Sequence, residues 1–134
     1  MGKTIKEVLT LSLTASEDLS DYQYYGVVMT TTDRNVELCD GTTDKPIGIL
    51  MNAPESGEEA LVCVIGVVPI KTSEAVDSSI QVLIGSDGLG APFAGDTDTT
   101  AYCIGMCIEA SGSTSGEMAL VAINCCNPTL SFSQ

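Results

Sequence analysis

The side chains able to do chemistry are few, and their spacing is unfavourable. The 134 residues contain no His, which removes the commonest general base and the commonest zinc ligand. Ser-His-Asp and Cys-His arrangements are thereby excluded. Gly2-Lys3-Thr4 has the ending of a phosphate-binding P-loop, but at the start of the chain it lacks the upstream glycine and the strand that such a loop needs. Cys103-x3-Cys107 and Cys125-Cys126 are the only grouped thiols. Their spacing is not that of a zinc ribbon or finger, and adjacent residues of a strand point to opposite faces, so Cys125 and Cys126 diverge. Asp96-x-Asp98 offers hard oxygen ligands of the kind calcium takes. Together with Asp33, Asp40, Asp44 and Asp87 it stands among Gly and Thr, where Asp forms turns by bonding its local backbone. A carboxylate pair working on sugars needs a cleft lined with aromatics, yet Trp is absent, with four Tyr and two Phe. The expectation is a protein that is not an enzyme and holds no metal and no cofactor.

The elements around these residues read as strands. Leu9–Thr14 alternates apolar and hydroxylated side chains, the period of a half-buried strand, behind a short polar segment that carries Lys3 and Lys6. Ala60–Val68 and Met118–Cys126 are apolar runs bounded by turn signals, expected to be strands buried on both faces. Gly26–Thr30 and Ile80–Ile84 are two shorter candidates. Thr72–Ser79 is the one stretch with a helical pattern, with Ser73 as its cap. Gly85–Gly90 is glycine-rich but leads into no helix that could bind a phosphate, and reads as a loop.

An internal repeat organises these strands. Pro46–Met51 (Pro-Ile-Gly-Ile-Leu-Met) is echoed by Cys103–Ile108 (Cys-Ile-Gly-Met-Cys-Ile), and Gly57–Val62 (Gly-Glu-Glu-Ala-Leu-Val) by Gly116–Val121 (Gly-Glu-Met-Ala-Leu-Val). The first pair lies 57 positions apart and the second 59, so two residues were inserted between them. Val27–Met29 followed by Asp33 aligns with Val82–Ile84 followed by Asp87. Gly inside a strand marks a bulge or a close backbone approach. The fold class expected is all-β: a barrel-like domain built from two related β-units, with at most one or two short helices. The divisions are an N-terminal arm and first strand over residues 1–14, a β-domain over 15–126 with repeats at about 23–70 and 77–126, and a C-terminal tail over 127–134.

Charge narrows the partners. Five basic residues face eighteen acidic ones, a formal net charge of -13. That field repels phosphates and anionic lipid headgroups, so nucleic acid and membrane surfaces are not expected partners. The longest uncharged apolar stretch, Ala60–Ile70, is too short to span a bilayer as a helix. Six cysteines, several of them within apolar runs, with no secretory signal, read as buried thiols of a protein made in a reducing cytoplasm.

Asp40–Leu50, Asp-Gly-Thr-Thr-Asp-Lys-Pro-Ile-Gly-Ile-Leu, resembles the head decoration proteins of bacteriophage lambda and its relatives, and the order of the repeated blocks resembles the wider group of tailed-phage capsid cement proteins. The resemblance implies a β-tulip or barrel-like module on the outer surface of a phage head. It implies a homotrimer that binds the major capsid protein, bridges its subunits and so stabilises the expanded shell, after synthesis in the host cytoplasm. It implies also that the N-terminal arm, here Met1–Thr14, adds a strand to the capsid protein, with Lys3, Ile5, Lys6 and Val8 as contacts. The chain lacks that family's long Pro/Gly-rich arm and its tryptophans. A different reading is a host- or carbohydrate-binding module of a virion fibre or adhesin, for which Tyr22, Tyr24 and Tyr25 are the available aromatics.

Overall fold

The computed structural model describes residues 5–40, 45–85, 87–93, 102–112, 114–125 and 129–130. It is all-β, with ten strands among the described residues: β1 (Lys6–Ala15), β2 (Gly26–Met29), β3 (Asn35–Leu38), β4 (Pro46–Leu50), β5 (Glu59–Lys71), β6 (Gln81–Ile84), β7 (Gly90–Pro92), β8 (Tyr102–Glu109), β9 (Met118–Asn124) and β10 (Thr129–Leu130). They form one sheet in the order β1-β3-β2-β4-β5-β9-β8-β6-β7, with β10 on β8 and a further pairing of β1 with β5.

That extra pairing curls the first half into a ring, β1-β3-β2-β4-β5 and back to β1. The antiparallel β1–β5 ladder runs from Lys6 opposite Val67 to Thr14 opposite Glu59, while β1 touches β3 in parallel only at Thr14 and Ala15. Among the described residues the second half, β5-β9-β8-β6-β7, is closed only by a single parallel bridge between Thr72 and Gly90. The long strand β5 belongs to both. Its first part pairs with β1 and β4, and its second part, Ile65–Lys71, with β9. The result is barrel-like without being one regular barrel.

The same backbone bonds occur in both halves. Thr14 opposite Glu59 recurs as Lys71 opposite Met118, and Val27 opposite Gly48 as Val82 opposite Gly105, each of the latter pairs followed by a bulge. The Ala15 N–H donates to the Glu58 carbonyl at 2.9 Å, and the Thr72 N–H to the Glu117 carbonyl at 2.8 Å. The Leu50 N–H donates to the Tyr25 carbonyl and the Cys107 N–H to the Ile80 carbonyl, both at 2.9 Å. Tyr24 and Ser79 both have positive φ, 72° and 76°. In this register the entering strand of the second half is the far part of β5, the counterpart of β1.

The recurring Gly-Glu motif has a local cause. Gly57 and Gly116 adopt φ of 85° and 93°, a region where a Cβ is costly. The next residue, Glu58 or Glu117, turns its carboxylate back to accept the N–H of Glu55 at 2.8 Å or of Thr114 at 3.0 Å. The Ala that follows, Ala60 or Ala119, is fully buried.

Leu19 and Val76, in the loops after β1 and β5, are also fully buried. The Leu19 N–H is tied to the Pro54 carbonyl at 2.8 Å and the Val76 N–H to the Ser111 hydroxyl at 3.0 Å. One core packs Leu19, Val27, Val36, Leu50, Ala60 and Val62 inside the first ring. The larger core joins Val28, Cys39 and Ile49 of the first half to Val82, Ile84 and Ile104 of the second. Each fully buried aliphatic side chain contributes about 2 kcal/mol relative to exposure.

Two sequence expectations are corrected. Thr72–Ser79 is not a helix: Ser73 donates its N–H to the Gly90 carbonyl at 3.0 Å, so it ties the end of β5 to β7 instead of capping a turn. The turn-rich stretches contain two further short strands, β3 and β7. The N-terminal arm is strand from Lys6 onward, paired to its own chain. Within the C-terminal tail, Thr129 and Leu130 pair with Cys103 and Tyr102.

Candidate interaction surface

Of the candidate residues, Lys6 and Val8 lie on β1 and Ile5 directly precedes it; the sequence of β1 explains its exposure. Its apolar side chains alternate with hydroxyls over Leu9–Thr14, so only one side can enter a core. Leu11 and Leu13 are half-buried and pack on the two cores. Toward the N-terminus the ladder is irregular, with register shifts between Glu7 and Leu9 and between Leu9 and Thr10. Val8 is the unpaired residue of the first shift, and a bulge re-aims the side chain it carries. Gly66 (φ 153°) permits this crossing, since a Cβ there would run into the Lys6 carbonyl.

Val8 is 69% exposed, Ile5 42% and Leu9 39%. Lys6 is exposed beside them, and Lys3 lies outside the described residues. Ile5, Lys6 and Val8 are therefore brought together with Leu9. Leu9 escaped sequence reading because strict alternation assigns it to the core side with Leu11; the register shift takes it out, and alternation carries no sign of that shift. Among the described residues no strand pairs with the second edge of β1 before Thr14. A strand edge of this kind, with apolar side chains at its tip, can accept an extended segment through main-chain hydrogen bonds.

Polar side chains bond within β1 and from β1 to β5. The Thr10 hydroxyl donates to the Glu7 carboxylate at 2.7 Å, and the Ser12 hydroxyl donates to the Glu59 carboxylate across the β1–β5 ladder. Beneath them Cys63 is buried opposite Thr10. Burial pushes its thiol pKa up, so Cys63 is a neutral S–H that donates to the Ile65 carbonyl at 3.3 Å. Cys39, Cys103, Cys107 and Cys125 are buried as well, and Cys126 lies outside the described residues. Among the described residues no cluster of three or more His, Cys, Asp or Glu could hold a metal ion. Asp87 acts in a turn, its carboxylate accepting the Leu89 N–H at 3.2 Å; Asp44, Asp96 and Asp98 lie outside the described residues.

The tyrosines do not form an open groove. Tyr22, Tyr24 and Tyr25 are half-buried, and the rings of Tyr22 and Tyr25 meet edge to face at 5.1 Å. The Lys71 ammonium stands 5.9 Å from the Tyr25 ring centre, and the Lys71 N–H donates to the Tyr24 carbonyl at 3.0 Å. These contacts place them at the junction between the halves. Among the described residues three other large apolar side chains are exposed: Met29 on β2 and Met106 and Ile108 on β8.

No protein-family model and no curated protein matches the chain. Among solved structures it is similar to the N base of the head fiber protein gp8.5 of bacteriophage phi29, with a TM-score of 0.65 and 11% sequence identity over 94% of this chain and 98% of that one. At that identity the likeness is one of fold, and it extends over nearly the whole of both chains.

Proposed function

We propose that this protein is a non-catalytic structural component of a tailed-phage virion, carried on the outer surface of the head. In this reading the β1 edge adds to a strand of the major capsid protein, and each bound copy bridges neighbouring subunits of the expanded shell. The observation that carries it is the open edge of β1, tipped by Ile5, Val8 and Leu9, on a fold shared with a phage head fiber base. A net charge of -13 fits a position away from packaged DNA. Many weak contacts to one lattice add up through multivalency, so no single deep site is required.

The test mixes the purified protein with expanded capsids that lack it. Stoichiometric co-sedimentation, with shells that withstand more heat or chelator, supports the reading. Capsids that neither bind the protein nor gain resistance refute it. A second reading, the anchoring base of a head fibre, is favoured by the identity of the structural neighbour. It predicts binding at few positions per head with no gain in shell resistance. Direct sugar binding draws no support from the three tyrosines, which are engaged within the molecule.

A further inference from the structure

We infer that copies of this chain associate head to tail, the second half of one copy stacking on the first half of the next in the way the two halves already stack within the chain. This association follows from the internal correspondence of the halves and is independent of shell binding.

Inside the chain the two halves meet through unlike faces. The first half contributes Gly26, Val28 and Ile49, and the second contributes Ile84 and Gly88. Ile84 packs where a Cβ of Gly26 would stand, its Cγ2 only 2.8 Å from that point. The Gly26 N–H donates to the Gly88 carbonyl at 2.8 Å, and Val28, Ile49 and Ile84 share one core, with Met51 packed against it. A contact between unlike faces always leaves one face of each kind unused at the two ends.

The strand registers identify those unused faces. Val27 opposite Gly48 corresponds to Val82 opposite Gly105, so Ile49 and Met51 correspond to Met106 and Ile108, and Ile84 corresponds to Met29. Ile49 is fully buried whereas Met106 is 44% exposed, and Ile84 is 2% exposed whereas Met29 is 41% exposed. Met51 is half-buried on the core while Ile108 is 46% exposed. Thus three of the six large apolar side chains exposed among the described residues are counterparts of residues that the chain itself covers.

The contact between copies is a relative of the internal one and not a replica. Gln81 stands where the first half has Gly26, and Arg34, which shares the positive φ of Gly88, stands where the second has Gly88. A flexible methionine at position 29, in place of Ile84, can repack around Gln81. Like charge on every copy opposes association, so added salt strengthens it.

The test is sedimentation equilibrium of the purified chain over a range of concentrations, at low and high salt, with Met29→Glu and Met106→Glu variants. Both sites are exposed, so both variants keep the thermal midpoint of the wild type. The wild type shows a mass above that of a single chain, rising with salt. Each variant alone falls back to the single chain or to a far weaker association. Mixed together, each still offers one intact face, and the mixture forms a one-to-one dimer that grows no further. A wild type that stays monomeric at every concentration and salt overturns the inference. So does either variant that associates as the wild type does, because like faces would then be pairing.

Discussion

Gly48 and Gly105 hold the same place in the two halves, each pressed against the backbone carbonyl of the next strand, Cys63 in the first case and Ala122 in the second. The Ile-Gly pair of the sequence repeat is therefore a requirement for two strands to approach where a Cβ cannot fit.

Replacement of either glycine by alanine forces backbone apart and is expected to cost about 3 kcal/mol. Gly57→Ala is the control. Its Cβ meets open space, but its φ of 85° remains unfavourable, so the loss there is about 1 kcal/mol. Urea midpoints of the three variants decide the matter: a Gly48→Ala variant no weaker than Gly57→Ala contradicts the close approach.

Fully buried side chains of the two halves make a second test. Leu19→Ala leaves a cavity in a fully buried site and is expected to cost about 3 kcal/mol. Thr72, a buried polar residue at the position of Ala15, donates its hydroxyl to the Glu117 carbonyl at 3.1 Å. That carbonyl also accepts the Thr72 N–H, so Thr72→Val leaves it satisfied and costs only about 1 kcal/mol. Thermal or urea unfolding reads both values, and Thr72→Val equal to Leu19→Ala refutes the assignment.

Much of this was legible in the residue pattern, for identifiable reasons. The Gly and Glu of the repeat mark turns and close approaches, which local chemistry dictates, so the blocks survive in both halves. The entering strand of each half left no such trace. Leu9–Thr14 alternates because one side of β1 faces outward, while its counterpart on β5, Gly66–Lys71, is a nearly continuous apolar run that includes Pro69. The second strand is flanked by β1 and β9, and burial erased the alternation. β3 and β7, of four and three residues, are too short for periodicity to emerge among turn residues. The exposure of Leu9 depends on a register shift at Gly66, which no window over β1 contains.

Alkaline pH supplies a third prediction. Burial raises the Cys63 thiol pKa, and burial first, then the neighbouring Tyr22, raises that of Tyr25. The folded state then holds these protons more tightly than the unfolded chain does. Their contribution to stability is complete below the unfolded thiol value of about 8.5 and is lost as pH rises through the folded values. Stability measured in urea is expected to fall from pH 8 upward. Cys63→Ala, though less stable at pH 7, has a shallower alkaline slope, whereas an unchanged slope assigns the titration elsewhere.

The last prediction separates folding from attachment. Val8 is 69% exposed at a bulge, so Val8→Asp removes almost no packing and shifts stability by only about 0.5 kcal/mol. A strand laid along the open edge of β1 covers this side chain, and desolvating a carboxylate there without a partner is costly. Co-sedimentation of Val8→Asp with expanded capsids is therefore expected to drop at least tenfold while its unfolding curve overlays the wild type. Leu13→Ala gives the reverse pattern. Leu13 is half-buried against the core of the first ring, so its truncation lowers the unfolding midpoint while shells still bind at temperatures where the variant remains folded. If Val8→Asp binds shells as tightly as the wild type, the edge of β1 is not the surface that meets them.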